Sequence, residues 1–397
     1  MASRDPRWVF RDRPSFALIT GLVLTGICAL VSFSFDVING EPVQFFIALI
    51  LALAPVPLLL AGVLALDRME PEPRSNLVFA FAWGAGIAVL VAGVVNSLNL
   101  HYIIDTAKLS EASARNIAAT FGAPVVEETM KGLVLLGLLK FRRAELDGPT
   151  DGVIYASMVG LGFAMSENVS YYLAALNSEQ GVKGLAVTVV LRGILSPFAH
   201  PLFTSMIGVA VAYAATRRGP ERVFYIMAGW VGAMVLHGLW NGLASYGRFP
   251  GLIIAYLVLL VVLLVLIAVV FKDRRRIVAL IQRYLPAYEP TKLVNQADIF
   301  MLSALSRRRQ ARQWARAHGG KRGLRAMSDY QLAATELGLL HERAARRIVD
   351  EQAFHEEQRA LLECMAAARA AWPIPPAHAQ AMTRGTPPPG YAPGAPG

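Results

Sequence analysis

Residues 117 to 139 read Ile117-Ala-Ala-Thr-Phe-Gly-Ala-Pro124-Val-Val-Glu127-Glu128-Thr-Met-Lys131-Gly-Leu-Val-Leu-Leu-Gly-Leu-Leu139. The stretch has the length of a bilayer-spanning helix, about 20 residues, yet two carboxylates and an ammonium interrupt it. A charge at the bilayer centre costs roughly 2.5 to 3.5 kcal/mol even on the gentler insertion scales and by default marks function. Whether this is a membrane helix with a site in it depends on what surrounds it.

Outward from there, Ser15 to Phe271 is a series of long apolar stretches, whereas Lys272 to Gly397 is polar, basic and rich in Ala and Arg. Apolar residues make up 55% of the 397, clustered in the first part. Eight stretches reach spanning length, roughly Phe16 to Phe35, Val43 to Leu66, Leu77 to Leu98, Ile117 to Leu139, Val153 to Leu176, Leu185 to Ala215, Val223 to Ser245 and Leu252 to Phe271. The sixth is long and is expected to tilt, or to break at Pro197 or Pro201, where a proline removes a backbone donor and clashes with the preceding turn. The expected fold is all-α, a polytopic membrane protein of about eight transmembrane helices.

Lys and Arg set the orientation. Arg4, Arg7, Arg11 and Arg13 precede the first stretch. Arg68 and Arg74, then Lys140, Arg142 and Arg143, then Arg217, Arg218 and Arg222 follow the second, fourth and sixth, and Lys272, Arg274, Arg275 and Arg276 end the eighth. The other loops hold only Lys108, Arg115, Lys183 and Arg248. Both termini are therefore expected in the cytoplasm, residues 1–15 included, with the protein multi-pass in the plasma (inner) membrane. The first stretch reads as an uncleaved anchor, since no convincing small-residue cleavage site follows it. Tyr102, Tyr171, Tyr172 and Tyr246 suit the outer interface, and packing between helices suits them equally. Cys28 and Cys364 are too few for a disulfide framework. The formal charge of +10 reports orientation rather than nucleic acid.

The tail, residues 272–372, reads as a cytoplasmic basic helical hairpin. One helix is expected from about Asn295 to His318 and a turn at Gly319 and Gly320. A second helix starts at Ser328, where Gln331 completes a capping box, and runs to about Ala371. From Pro373 the Pro, Gly and Ala content predicts disorder through residue 397. Arg307, Arg308, Arg309, Arg312 and Arg316 lack interleaved aromatics and any DNA-reading motif, so a solvated face against anionic lipid headgroups is expected.

Besides Glu127, Glu128 and Lys131, the apolar stretches hold Glu167 and Asn168 in the fifth, His200 in the sixth, and His237 and Asn241 in the seventh. Unpaired, these groups would add up to well over ~10 kcal/mol, so they must find one another. Counted from the outer ends, Glu127, Glu167 and His237 lie at similar depths, roughly 12 to 15 Å in at the helical rise. Glu127 and Lys131, four apart, share a face, whereas Glu128 points about 100° away. Pro124 can free backbone and admit the water that hydrolysis needs.

Two imidazoles and a carboxylate suffice to hold Zn²⁺ with a position left for water, and a second carboxylate can take that water's proton. The roles expected are His200, His237 and Glu167 as metal ligands and Glu127 as general base. Lys131 keeps the Glu pair ionised, Asn241 serves the oxyanion or orients His237, and Glu128 is structural or shares the base role. No His-Glu-x-x-His pair occurs, and a metal-free scheme, Glu127 activating water with the histidines as acid and oxyanion partners, uses the same residues.

The chain resembles the PrsW-type intramembrane proteases, relatives of the CAAX-processing and bacteriocin-processing (CPBP) membrane proteases. The resemblance covers about Asp67 to Gly242. It lies in Asp-Arg-Met-Glu-Pro-Glu-Pro from Asp67 to Pro73, the Glu-Glu-x-x-Lys of Glu127, Glu128 and Lys131, and the Phe-x-x-x-Glu-Asn of Phe163, Glu167 and Asn168. His200 and the His-x-x-x-Asn of His237 and Asn241 complete it. The resemblance implies peptide-bond hydrolysis in or beside the membrane, with a single-pass membrane protein such as an anti-sigma factor as substrate. Rival readings are a proton-coupled transporter, against which no inverted repeat is found, and a catalytically silent scaffold for transmembrane helices.

Overall fold

The computed structural model describes residues 15–38 and 41–372. The basic segment before the first helix and the Pro-rich end expected to be disordered lie outside the described residues. All regular structure among the described residues is helical. The helices are α1 (Phe16–Ile38), α2 (Pro42–Leu53), α3 (Val56–Leu66), α4 (Arg74–Trp83), α5 (Val89–Ala107), α6 (Glu111–Ile117), α7 (Ala123–Phe141) and α8 (Pro149–Leu176). They continue with α9 (Gly181–Thr188), α10 (Ala199–Ala215), α11 (Glu221–Tyr246), α12 (Arg248–Tyr284), α13 (Gln296–Leu302), α14 (Leu305–Ala345) and α15 (Glu351–Ala370).

Six described helical segments are long and apolar enough to cross a membrane: Phe16–Ile38, Pro42–Leu66, Arg74–Ala107, Gly181–Ala215, Glu221–Tyr246 and Phe249–Thr291. The remaining two of the eight stretches are the continuous helical run 111–141 and α8. They have the length but carry the Glu pair with Lys131, and Glu167 with Asn168. The polar groups that mark them as functional also dilute their apolar content.

Three of the long segments contain a π-helical turn, Gly84–Ala88 between α4 and α5, Ala118–Gly122 between α6 and α7, and Val189–Leu195 after α9. Such turns arise where a residue is accommodated within a helix and frequently lie at functional sites. The sixth stretch breaks, as its prolines lead one to expect. Ser196, Pro197 and Phe198 separate the π-turn from α10, and Pro201 falls in the first turn of α10, where its missing N–H costs nothing. His200 thereby occupies the opening turn of a new helix.

The described residues form two compact units, 15–38 and 41–67 with 72–270, and 68–71 with 271–372. In the first, α8 is buried along most of its length and packs against α10, α4 and α2. Glycines set the spacing. A Cβ on Gly84 would lie 2.0 Å from the Val159 carbonyl oxygen, and one on Gly160 would lie 2.6 Å from the Pro201 nitrogen. Small residues at these crossings let backbones approach, as membrane helix packing requires.

The second unit closes on Ile281, Leu302, Tyr330, Leu337, Leu340, Leu361 and Met365. Its boundaries differ from those expected of the tail. Asn295 caps a short α13, accepting from Asp298 N at 2.9 Å, and the chain breaks again before α14. The turn near Gly319 shrinks to one non-helical residue, Gly320, at φ 57° and ψ −145°. Ser328 does not cap a helix; it lies inside α14 and donates to the Leu324 carbonyl at 2.9 Å. The true break follows Ala345, with Arg347 at φ 56° and Asp350 capping α15 through Ala353 N at 2.8 Å. Of the arginine run, Arg309 and Arg316 are exposed, but Arg308 is buried. Its guanidinium donates to the carbonyls of Leu302 and Met69 and to Thr335 Oγ1, at 2.8 to 2.9 Å.

Candidate active site

The site begins one turn into α7. Glu128 and Lys131 are three apart and face each other, with Lys131 Nζ 2.8 Å from Glu128 Oε1 and 3.4 Å from Glu127 Oε2. Both carboxylates and the ammonium are buried, Lys131 and Glu128 completely. Lys131 also lies 3.9 Å from the centroid of the Phe163 ring, whose π face supplies further electron density to the cation.

Glu128 accepts from Lys131, from His237 Nδ1 at 2.9 Å and from Thr204 Oγ1 at 2.9 Å. Three donors hold the carboxylate in place, and because it can only accept from the imidazole, they leave His237 with its proton on Nδ1 and the Nε2 lone pair free. That nitrogen lies 3.8 Å from Glu127 Oε2. The His237 ring stacks on Phe203, centroids 4.7 Å apart, and crosses the His200 ring at 88° with centroids 5.2 Å apart. His200 Nδ1 lies 2.9 Å from Lys131 Nζ, and its Nε2 lies 3.0 Å from Glu167 Oε2.

Glu127, Glu128, Lys131, Glu167, His200 and His237 therefore meet. Asn241 takes part less directly. Its Nδ2 donates to the Ala119 carbonyl at 2.8 Å, within the π-turn before α7, and so steadies the segment from which the Glu pair springs. Glu127, His200 and His237 each offer a ligand atom, all within 4.8 Å of one another. Glu167 is engaged elsewhere, by Arg192 as well as His200.

Three participants lay outside the sequence reading. Arg192, in the π-turn after α9, pairs with Glu167, donates to Asn168 Oδ1 at 2.8 Å and stacks 3.7 Å over Tyr171. Asn96 on α5 donates to Glu127 Oε1 at 3.2 Å. Thr204 on α10 holds Glu128. The rule that a charge within an apolar stretch is functional applies to Arg192 directly; Asn96 and Thr204 are small polar groups whose role only contact reveals.

Two cavities flank the cluster. One of about 220 Å³ is lined by Asn168, Arg192, Ser196, His200, Trp240 and Asn241 among others. The other, of about 610 Å³, lies between α1, α5, α7 and α8 and reaches Glu127 and Glu167. Water and a substrate can thus approach groups that are themselves almost fully buried.

A family model described as "PrsW family intramembrane metalloprotease" matches residues 72–269, about half of the chain. This segment contains every residue of the cluster. The chain belongs to the PrsW family. Proteins named Protease PrsW are similar over a comparable length of the chain. That of Geobacillus kaustophilus is 28% identical over 203 residues, 50% of this chain and 82% of the relative. Those of Clostridioides difficile and Bacillus subtilis are 27% and 24% identical, covering 48% of this chain each and 76% and 78% of themselves. No solved structure matches the chain significantly. As a PrsW member the protein is a multi-pass membrane peptidase of a family described as metalloproteases.

Proposed function

We propose that the chain cleaves single-pass membrane proteins at a site in the outer half of the bilayer, with Glu127, His200 and His237 holding a zinc ion and Glu167 handling protons. The core is taken to have eight spans with both termini in the cytoplasm, and the membrane to be the inner one. An anti-sigma factor is the substrate class to test first, on the strength of the family resemblance. One observation carries the reading: ligand atoms of a carboxylate and two imidazoles lie mutually within 4.8 Å, buried beside cavities.

The donor set suits zinc, which takes His and carboxylate ligands and leaves a position for water in catalytic sites. His237 supports this further, because a metal-binding imidazole ordinarily donates its other N–H to a carboxylate, and Glu128 is that carboxylate. A bound zinc ion supplies a Lewis acid and lowers the pKa of water toward neutrality. In this scheme Glu167 takes the proton of the attacking water and returns it to the leaving amine. Arg192 fixes that carboxylate. Lys131 balances the negative charge of the Glu pair, and Asn241 keeps the start of α7 in place.

A metal-free scheme is favoured by one contact. With Lys131 donating to His200 Nδ1, the neutral imidazole keeps its proton on Nε2 and donates it to Glu167. Glu127 would then activate the water.

The experiment is metal analysis of purified protein together with cleavage of a reconstituted single-pass substrate, for wild type, His237→Ala, Glu127→Gln and Glu167→Gln. Zinc in wild type, lost in His237→Ala and Glu127→Gln but kept in an inactive Glu167→Gln, is the expected pattern. Zinc lost in Glu167→Gln and kept in Glu127→Gln exchanges the two carboxylates. Full activity in a zinc-free, chelated protein selects the metal-free scheme, and no cleavage by any form removes the reading.

A further inference from the structure

The cavity of about 610 Å³ is lined by Ser32 and Asp36 from α1, Asn96, Ser97 and His101 from α5, and Ser170 from α8, besides Glu127 and Glu167. For a space bounded by apolar membrane helices this is an unusual number of polar groups. Two of these groups keep an acceptor atom unsatisfied. Asn96 uses Nδ2 on Glu127 Oε1, and its Oδ1 is buried with no hydrogen-bond partner among the described residues. Asp36 accepts from Ser170 Oγ at 2.8 Å through Oδ1, while its Oδ2 is likewise buried without a partner. Two unsatisfied acceptors on neighbouring helices call for donors.

An intact transmembrane helix cannot supply them, because each of its backbone N–H groups is already paired within the helix. An extended stretch of polypeptide can, since its N–H groups are free and emerge on alternating sides of the strand. The volume lies within the roughly 300 to 1,000 Å³ that ligand pockets occupy. Around Gly93, on the cavity wall, a Cβ would meet no atom within 4 Å, and Val94 and Leu98 beside it are exposed, so α5 leaves room along this wall.

The geometry points to this cavity as the cleft that receives an unwound segment of a membrane-protein substrate, with Asn96 Oδ1 and Asp36 Oδ2 accepting backbone N–H groups. The inference rests on the peptidase reading and deepens it, naming where the substrate chain lies and in what conformation. Asn96 acts at two points in this arrangement. Its amide N–H positions Glu127, and its carbonyl oxygen registers the substrate against the same carboxylate. Selectivity for helices that unwind easily follows.

The test uses the full chain in nanodiscs and two single-pass peptides identical except for a Gly-Pro pair in the outer half of one span. In a Glu127→Gln background, so that no turnover is needed, p-benzoylphenylalanine replaces Ser97. It should label the Gly-Pro peptide strongly and its helical counterpart weakly. Asn96→Leu and, on the other helix, Asp36→Ala should each weaken binding of the Gly-Pro peptide about threefold to tenfold, the loss of one hydrogen bond. Unchanged melting temperatures show that the variants are folded. Absence of labelling, equal labelling of the two peptides, or binding indifferent to both substitutions overturns the cleft. Cleavage of the Gly-Pro peptide by wild type is scored separately. Cleavage without labelling from Ser97 sinks the cleft and keeps the peptidase, whereas labelling without cleavage keeps the cleft and counts against the peptidase.

Discussion

His237 Nδ1 lies 2.9 Å from Glu128 Oε1, a carboxylate that also accepts from Lys131 and Thr204. The contact separates two neighbours in sequence into different tasks. Glu128 orients its neighbours, while Glu127, one helical step of about 100° away, keeps one oxygen toward His237 Nε2 and accepts with the other from Asn96, which lines the larger cavity with it.

Glu128→Gln should therefore act through His237. Outer-shell partners of metal-binding histidines are typically worth 10- to 100-fold in metal affinity or activity. Zinc titration of the purified variant is expected to show a loss of about that size, with the helical content unchanged. Affinity equal to wild type would make Glu128 a packing residue.

Lys131→Met leaves two buried carboxylates without their ammonium. Removing one partner of a buried ion pair costs about 3–5 kcal/mol, because the remaining charge is uncompensated. Thermal unfolding in detergent should show a large drop, and adding Glu128→Gln should recover part of it. A melting temperature insensitive to Lys131→Met would mean that the carboxylates are neutral.

Gly160→Ala pushes a methyl group against the backbone of His200 and Pro201, which its Cβ would approach to 2.6 Å. Overpacking of this kind costs about 1–3 kcal/mol. Gly84→Ala crowds the Val159 carbonyl instead, at 2.0 Å. Both should destabilise, but Gly160→Ala should lose far more cleavage activity per degree of melting temperature, since it displaces the turn bearing His200. Equal ratios would remove the positional argument.

Asp67, just past α3, carries a pH signature. Burial pushes its carboxyl up to about 7, against the opposing hydrogen bond from Glu72 N at 3.0 Å. Its folded value thus exceeds the ordinary value near 3.9, so its protonated form contributes stability that is complete below about pH 4 and lost as pH rises through about 7. Asp67→Asn keeps an acceptor for Glu72 N and does not titrate. Melting curves across this range should show the variant gaining on wild type from pH 4 to 7 and levelling above. A constant difference would place the carboxyl at its ordinary value.

Much of this protein is written in one dimension. The lengths of the apolar stretches point to a helical membrane core, because a stretch of about 20 residues crosses lipid by satisfying its backbone groups within its own helix, whereas a barrel strand needs only about 10. The cost of charge in hydrocarbon singles out Glu127, Glu128, Lys131, Glu167, His200 and His237, and the structure brings all six together. The prolines of the sixth stretch announce its break. What only the fold decides is which atom each group addresses. Glu128 rather than Glu127 holds His237, Arg192 engages Glu167, and Asn241 turns to a backbone carbonyl, because hydrogen-bond partners depend on helix rotation and π-turns that shift a face by one residue. In the tail, Arg308 and Ser328 look like surface and cap residues but are consumed by tertiary contacts and a continuing helix. Residue type there sets the price of burial, and only packing across distant segments determines whether it is met.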